Sequence, residues 1–204
     1  MCLITKQKQP EIAKEDVVCY KIIKLNPNNR KYESYFYSEM KWKLNQLYST
    51  TLDKSGKYVL EGFHSYAHYQ DALEILEKEM PLGCILVKCV IPKGAYYYKG
   101  KHNDDKEGYT SNKITMTEFI KKKGELIIND DTYPYKRTDE LEVQIKAKHN
   151  NCLKYTDLID SIYKYNGQYH IITPLFHIIT NEKGELLTNY YKTIQITHIS
   201  HVEK

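Results

Sequence analysis

The chain has 204 residues, 41% of them apolar, and its 30 Lys and Arg against 26 Asp and Glu give a net charge of +4. This length and apolar content predict a globular core and exclude disorder over most of the chain. Only Arg30 and Arg137 are arginines, which disfavours sequence-specific DNA binding, because base and phosphate contacts favour arginine. The opening lacks an apolar signal-peptide core and no apolar run nears about 18 residues, so we expect a cytoplasmic protein without a membrane segment.

The cysteines form no CxxC pair; they are Cys2, Cys19, Cys84, Cys89 and Cys152. We expect them to be reduced thiols, as is usual inside cells. Cys84 and Cys89 lie five positions apart in one predicted strand. Their side chains should therefore point to opposite faces and be unable to bridge.

The first predicted element is a strand over residues 17–25, VVCYKIIKL, which is rich in β-branched residues and ends at the turn formers 26–29. Residues 32–48 are ambiguous, because tyrosines alternate with polar residues while other apolar residues have helical spacing. The helically spaced residues are Met40, Leu44 and Leu47. We interpret this segment as a loop entering a short helix.

The segment 66–80 predicts an amphipathic helix. One apolar stripe is formed by Tyr69, Ala72, Leu73, Leu76 and Met80. Glu74 and Lys78 make an i,i+4 pair in the favourable order on the solvent side. Ser65 is positioned to cap the start, and Pro81 ends the helix.

A buried strand is predicted over residues 84–91, which are apolar on both faces apart from Lys88 and therefore suit a central place in a sheet. Residues 108–120 predict another strand. Beyond the linker-like segment 129–140, residues 141–147 alternate in polarity, and Asn166-Gly167 is a strong hairpin signal. The final run 190–202 extends this set of strands.

Together these patterns predict an α+β fold, with a mixed or mostly antiparallel sheet, one clear amphipathic helix at about 66–80 and a β-rich C-terminal part. We expect an α+β core domain over 1–128, a linker-like loop over 129–140 and a β-hairpin-rich extension over 141–204. The extension either packs on the same core or forms a separate domain.

Cys2 is the first candidate site residue. If Met1 is removed, the Cys2 thiol and the free α-amine lie on one residue, as in amino-terminal nucleophile enzymes and self-crosslinking DNA-repair domains. The alternative is an ordinary second residue without a catalytic role.

The second candidate site is His64-Ser65 at the strand-to-helix junction. A helix amino terminus attracts anions, so a phosphate is expected to bind beside His64 and Lys93. The alternative is that Ser65 only caps the helix and His64 packs in the core.

The third candidate site lies in residues 93–100, where Tyr96, Tyr97 and Tyr98 stand between lysines and glycines. Such tyrosines can stack on a base while lysines neutralise phosphate. Alternatively, one side of the strand is packed and the other solvated, and the twenty tyrosines of the chain reflect the codon usage of an AT-rich genome. No metal site is predicted, because the acidic loop 104–107 lacks calcium-loop spacing.

Several segments resemble a group of small uncharacterised proteins of bacteriophages and gut bacteria over residues 1–120. The segments are MCLI, AKEDVVCYKII at 13–23, GFHSYAHYQDAL and VKCVIPKGAYYYKG. The resemblance implies no activity, and it implies the host cytoplasm as the location if the chain is phage-encoded.

More distantly, the order of GFHS, a helix and CILVKCVIPKGA is similar to the core of ADP-ribosyltransferase-like folds. By that resemblance Ser65 occupies the middle motif and Glu118 the position of the catalytic glutamate. The first motif departs from the family, because Cys19, Tyr20 and Lys21 stand where an arginine or histidine should hold NAD.

These observations favour a cytoplasmic binding or interaction protein with a nucleotide or protein partner and no assigned cofactor. The nucleotide would bind through His64, Ser65 and residues 93–100. The alternatives are an ADP-ribosyltransferase-like enzyme, an enzyme with Cys2 as nucleophile, and a structural or interaction protein of a phage particle or host-takeover system.

Overall fold

The computed structural model describes residues 2–26, 31–34, 40–126, 133–136, 139–146, 152–189 and 195–202. The chain divides into two compact units, Met1–Lys123 and Gly124–Lys204. One helix and many strands are described, and all described strand pairs are antiparallel. The antiparallel prediction is confirmed, whereas the α+β class holds only loosely, because the chain is mostly β.

The first unit contains one long hydrogen-bonded sheet and the helix. Its elements are β1 (Leu3–Ile4), β2 (Glu11–Ile12), β3 (Val17–Leu25), β4 (Tyr32–Ser34), β5 (Lys41–Trp42), β6 (Leu47–Ser49), β7 (Asp53–Ser55), β8 (Tyr58–Glu61), β9 (Phe63–Tyr66), α1 (Tyr69–Lys78), β10 (Cys84–Ile91), β11 (Tyr96–Lys101), β12 (Glu107–Ser111) and β13 (Lys113–Lys122). The strand order is β6-β13-β10-β3-β9-β12-β11-β1-β8-β7. β2 pairs with β11, and β4 joins β3 to β5.

The sheet narrows where β3 meets β9. On its other side β3 pairs with β10 along the whole of Cys84–Ile91. With β9, in contrast, it shares the single pair Tyr20 and Tyr66. The two halves of the sheet are therefore joined at one point, and most of β9 pairs only with β12.

Strand β3 is covered on both faces. Cys19 and Ile23 lie in the core cluster that contains Trp42 and Val87, while Ile22 lies in the cluster formed with α1. A central strand with two covered faces needs apolar residues at both odd and even positions. This explains why VVCYKIIKL carries few polar residues, and the predicted bounds of both β3 and β10 are confirmed.

Helix α1 spans Tyr69–Lys78, three residues shorter at its start and two residues shorter at its end than the predicted 66–80. Its packed side contains the predicted stripe up to Leu76 together with Ile75, and Met80 packs on the same cluster just beyond the helix. Glu74 and Lys78 form the predicted ion pair at 2.8 Å. The predicted Ser65 cap is wrong, because Ser65 lies in β9, where it pairs with Tyr109 of β12. His68 occupies the N-cap position, and its side chain makes no capping hydrogen bond.

The predicted short helix within 32–48 is also wrong in its described part, which contains β4, β5 and β6. Trp42 is 2% exposed and donates a 2.9 Å hydrogen bond from Nε1 to Ser34 Oγ. Asn45 has φ 58°, which makes a tight turn and interrupts helical geometry. Burial of the aromatic side chain in the sheet therefore outweighs the helical spacing.

The second unit contains a five-stranded and a three-stranded sheet. Its strands are β14 (Glu125–Leu126), β15 (Glu140–Lys146), β16 (Cys152–Leu158), β17 (Ser161–Tyr165), β18 (Gln168–Ile172), β19 (His177–Thr180), β20 (Leu186–Asn189) and β21 (Gln195–His201). The orders are β14-β17-β18-β19-β20 and β16-β15-β21. Asn166 and Gly167, with φ 51° and 76°, make the predicted hairpin turn between β17 and β18.

The boundary between the units follows Lys123, five residues before the predicted one. Much of the predicted linker 129–140 and the predicted turn at 27–29 lie outside the described residues. In the described part of that linker Pro134 and Lys136 are exposed, whereas Tyr133 and Tyr135 belong to the core cluster of the second unit. Tyr133 stacks on Tyr169 with ring centroids 3.9 Å apart.

Candidate functional site

Lys21 lies on the apolar face of β3, on the side of Cys19 and Trp42. Its Nζ donates a 2.8 Å hydrogen bond to the His64 carbonyl and lies 5.5 Å from the Trp42 ring centroid. The Lys21 side chain thus connects β3 to β9 next to the single pair at which these two strands meet. Burial lowers the pKa of the Lys21 amine, and the nearby Cys89 and Cys19 thiols oppose this effect. Among the described residues no carboxylate forms an ion pair with Lys21.

His64 and His102 form a buried pair on the opposite face of β9, with ring centroids 6.1 Å apart. His64 Nδ1 is joined to Thr110 Oγ1 by a 2.9 Å hydrogen bond. His102 Nε2 lies 3.0 Å from the Ser65 carbonyl. Because a carbonyl only accepts, His102 Nε2 carries the proton and Nδ1 of the neutral ring is an acceptor.

Both histidines are held neutral. Burial, followed by the positive charge of Lys21, lowers the pKa of His64 to about 3. Burial also lowers the pKa of His102, although its hydrogen bond to Ser65 acts in the opposite direction. Beside them Tyr66 donates a 3.0 Å hydrogen bond to Asp104. The pair therefore carries no charge near neutral pH and offers ring nitrogens for hydrogen bonding.

Three buried polar atoms around β9 lack a hydrogen bond of normal geometry within the described residues: His64 Nε2, Ser65 Oγ and His102 Nδ1. Looser contacts exist: the Leu60 backbone raises the pKa of His64 against the larger effect of burial, and Ser65 lowers the pKa of the Cys19 thiol. Buried polar atoms are usually paired with protein groups, water or a ligand. Two of the three atoms belong to β9, and the third belongs to His102, which contacts the Ser65 carbonyl, so we take β9 as the candidate site.

The strand register places aromatic side chains beside Ser65. Tyr109 is directly opposite Ser65, and Tyr97 is opposite Ser111, the partner of Phe63. Opposite residues in a ladder share a face, so Ser65, Tyr109 and Tyr97 lie on the face of Lys21. The two tyrosine rings are partly buried and form an edge-to-face contact at 5.6 Å. We call Lys21, Ser65, Tyr97 and Tyr109 the junction face.

The other predicted ligand-binding residues lie apart from this face. Tyr98 is buried with Leu3 and Val59, and Tyr96 is exposed opposite Ile12. Lys93 is exposed in the turn after β10, where its backbone donates to Asp16. No described contact joins Lys93 to His64, so the phosphate position proposed between them has no support from the described contacts.

Cys2 is partly buried, with a free thiol, just before β1. In β1, Leu3 pairs with Val59 and Ile4 with both Tyr58 and Lys101. Continued by one step, the β1–β8 register brings Cys2 opposite Leu60, and on the other side His102 directly follows Lys101, the β11 partner of Ile4. The sequence hypothesis of an amino-terminal nucleophile therefore has a histidine in the same region of the sheet.

Glu118 and Ser65 are not brought together. Glu118 pairs with Lys88, which pairs with Tyr20, the partner of Tyr66 in β9. Three ladder steps separate β13 from β9, about 14 Å at the usual strand spacing. Glu118 shares the face of Tyr20, whereas Ser65 lies on the other face, against Cys19. The resemblance to ADP-ribosyltransferases thus gains no geometric support from these two residues.

Several residues of the site were not proposed from the sequence as ligand-binding, namely Lys21, His102, Tyr109 and Thr110. Lys21 had a readable signal, because period-two alternation in VVCYKIIKL places it on one face with Cys19 and Ile23. His102 and Thr110 had none, since their hydrogen bonds reach across 37 and 46 positions in the sequence.

The described residues contain no cluster of three or more His, Cys, Asp or Glu side chains placed to bind a metal. No helix among them has the length and apolar character needed to cross a membrane. Comparison with protein-family models, curated proteins and solved structures gave no match.

Proposed function

We propose that the first unit is a binding module for a small anionic ligand of the nucleotide class, held on the junction face. The observation that carries the proposal is Lys21, a partly buried ammonium without an ion-pair partner among the described residues. Charged groups that leave water are normally paired. A phosphate group is an anion that Lys21 and the Ser65 hydroxyl would bind together.

Tyr97 and Tyr109 supply the second part of the proposed recognition. Their rings are partly exposed on the same face, and an edge-to-face pair presents one ring face to an incoming base. Tyr97 is fixed by a hydrogen bond from its hydroxyl to Glu11. The phosphate end of the ligand would then lie toward β3 and the base toward β11.

The test is a thermal-shift and calorimetric screen of the full chain with NAD, ADP-ribose, cyclic nucleotides and inorganic phosphate. The matching nucleosides without phosphate serve as controls. We expect phosphate-containing ligands to raise the melting temperature and the nucleosides to have little effect. Silence across the whole panel would refute the nucleotide proposal.

The residue test compares Lys21→Met with Lys24→Met, which changes a lysine of the same strand on the opposite face. Lys21→Met should weaken binding roughly tenfold or more, because hydrogen bonds to charged groups contribute about 1.5–3 kcal/mol. Lys24→Met should bind like the unchanged chain. Equal affinity of the two variants would remove Lys21 from the site.

Stability separates a binding role of Lys21 from a structural one. Because Lys21 has no ion-pair partner among the described residues, Lys21→Met loses one hydrogen bond and gains apolar burial. We expect its free energy of unfolding to stay within about 1 kcal/mol of the unchanged chain. A much larger loss would indicate that the lysine serves the fold.

A second candidate function is an enzyme with Cys2 as nucleophile, supported by the pairing of Ile4, two residues after Cys2, with Lys101, the residue before His102. Its test is intact-mass measurement followed by labelling with an electrophilic probe. Retention of Met1 eliminates the free-amine mechanism, whereas rapid labelling of Cys2 that slows in His102→Gln supports a thiol and histidine acting together.

A further inference from the structure

Cys19 and Cys89 are direct partners in the ladder between β3 and β10. Both are free thiols, both are 0% exposed, and both belong to the core cluster on the Lys21 side of the sheet. Each contributes to the electrostatic environment of Lys21. Two thiols therefore face each other across neighbouring strands, a relation that their separation of 70 positions in the sequence does not reveal.

The backbone spacing suits a covalent bridge. Directly opposite residues in an antiparallel ladder have Cα atoms about 4.5 or 5.5 Å apart, depending on the type of pair. Disulfides connect Cα atoms about 4.4–6.8 Å apart. Cys84 offers a built-in contrast, because its ladder partner in β3 is Lys24 and no thiol faces it.

We propose that Cys19 and Cys89 form a cross-strand disulfide when the chain meets a low-molecular-weight disulfide oxidant such as oxidised glutathione. One cysteine thiolate attacks the oxidant, forms a mixed disulfide and releases one reduced glutathione. The second thiolate then attacks the protein sulfur of the mixed disulfide and releases the second glutathione. Two protein thiols are oxidised, one S–S bond forms, and two protons leave with the two glutathione thiols.

Burial controls how fast this reaction runs. It raises the pKa of Cys19 to about 12 and also raises that of Cys89. Because the thiolate is the attacking species, exchange in the closed sheet is slow. The reaction should accelerate with rising pH and whenever β3 and β10 separate, which makes the pair sensitive to oxidants during folding or local opening.

Trypsin separates all five cysteines into different peptides, so the bridge can be assigned directly. Cys19 falls in residues 15–21 and Cys89 in residues 89–93, while Cys84 falls in residues 79–88. The reduced full chain is treated with oxidised glutathione in buffer and in sub-denaturing urea, alkylated, digested and analysed by mass spectrometry. We expect a linked pair of peptides 15–21 and 89–93, and a higher melting temperature for the bridged chain.

Single Cys→Ser variants test which cysteines form the bridge. Cys84→Ser should form the same bridge, whereas Cys19→Ser and Cys89→Ser should each lose it. Because Cys84 is also buried, the rate of its alkylation measures how often this part of the sheet opens. If Cys84 becomes labelled while no link between Cys19 and Cys89 forms, or if the dominant link joins other cysteines, the proposal is overturned.

Discussion

Each unit contains a pair of neighbouring histidines that are at least partly buried, and the two pairs are hydrogen-bonded differently. In the second unit His170 Nδ1 and His177 Nε2 share a 2.9 Å hydrogen bond, with ring centroids 5.2 Å apart. In the first unit His64 and His102 do not bond each other, and each has one ring nitrogen without a hydrogen bond of normal geometry among the described residues. Burial is common to both pairs, so burial alone does not mark a site.

The difference lies in what the neighbouring strands supply. His170 and His177 lie diagonally across one regular ladder and satisfy each other. His64 lies beside the point where β9 leaves β3, and within the described residues the remaining ring nitrogens of His64 and His102 make no hydrogen bond of normal geometry. Unpaired polar atoms inside a protein cost about 1–3 kcal/mol each unless water or a ligand pairs with them. The two pairs therefore differ in hydrogen bonding: the rings of the second pair bond each other, whereas the first pair, on the face of β9 opposite to the junction face, leaves two buried ring nitrogens without a normal hydrogen bond among the described residues.

The largest expected effect that tests this comparison is acid destabilisation of the first unit. In the unfolded chain His64 takes up a proton below about pH 6.5, whereas the folded chain keeps it neutral to about pH 3. The unfolded state binds more protons in this window, so the free energy of unfolding falls as the pH falls. At about 1.4 kcal/mol per pKa unit the total loss reaches roughly 5 kcal/mol.

Trp42 is the single tryptophan and lies in the core of the first unit, so its fluorescence reports on that unit. Urea unfolding is followed by this signal between pH 7 and pH 4. His64→Gln, whose amide does not titrate, should flatten the pH dependence. An unchanged slope in that variant would show that other groups set the acid sensitivity.

A smaller effect is expected from breaking a satisfied contact in the second unit. Thr180 and the Tyr133 hydroxyl are both buried and hydrogen-bonded to each other. Thr180→Val leaves the Tyr133 hydroxyl unpaired and should lower the free energy of unfolding by about 1–3 kcal/mol. The double variant Thr180→Val with Tyr133→Phe removes both polar partners and should recover part of that loss.

This is measured by near-ultraviolet circular dichroism of the tyrosines during thermal unfolding. A double variant less stable than Thr180→Val alone would mean that the two groups do not act as one pair. The measurement gives the loss in free energy of unfolding that one unpaired buried hydroxyl causes in this protein, which can then be compared with the unpaired atoms of the first unit.

The sequence predicted local features well where a single pattern acted alone. The bounds of β3 and β10, the apolar stripe of α1 and the Asn166-Gly167 turn followed from alternation, helical spacing and turn chemistry. It failed at residues 32–48, where helical spacing competed with the burial of Trp42. Ser65 was read correctly as a junction residue but wrongly as a cap, because a strand partner 44 positions away decides its role.

The candidate site was predicted only in part for a related reason. His64, Ser65 and Tyr97 were predicted as site residues from the sequence. Whether a buried polar atom has a hydrogen-bond partner, however, depends on which strands pack around it in the fold. The narrow junction between β3 and β9 depends on long-range pairing. No local pattern in VVCYKIIKL or GFHSY contains that information.

The smallest expected effect is also the most specific, because it compares two buried serines of the first unit. Ser111 Oγ donates a 2.9 Å hydrogen bond to the Lys113 carbonyl, whereas Ser65 Oγ lacks a partner of normal geometry. Ser111→Ala should cost about 1 kcal/mol, and Ser65→Ala should be neutral or raise the free energy of unfolding by up to about 1 kcal/mol. Both are read from Trp42 fluorescence in urea without added ligand.

The same two variants then separate stability from binding. Ser65→Ala should weaken binding of a phosphate-containing ligand, whereas Ser111→Ala should not, since its hydroxyl is already occupied. If both serines cost the same stability and neither affects binding, Ser65 is satisfied within the folded chain. The unpaired atoms of β9 would then no longer distinguish the histidines of the first unit from those of the second.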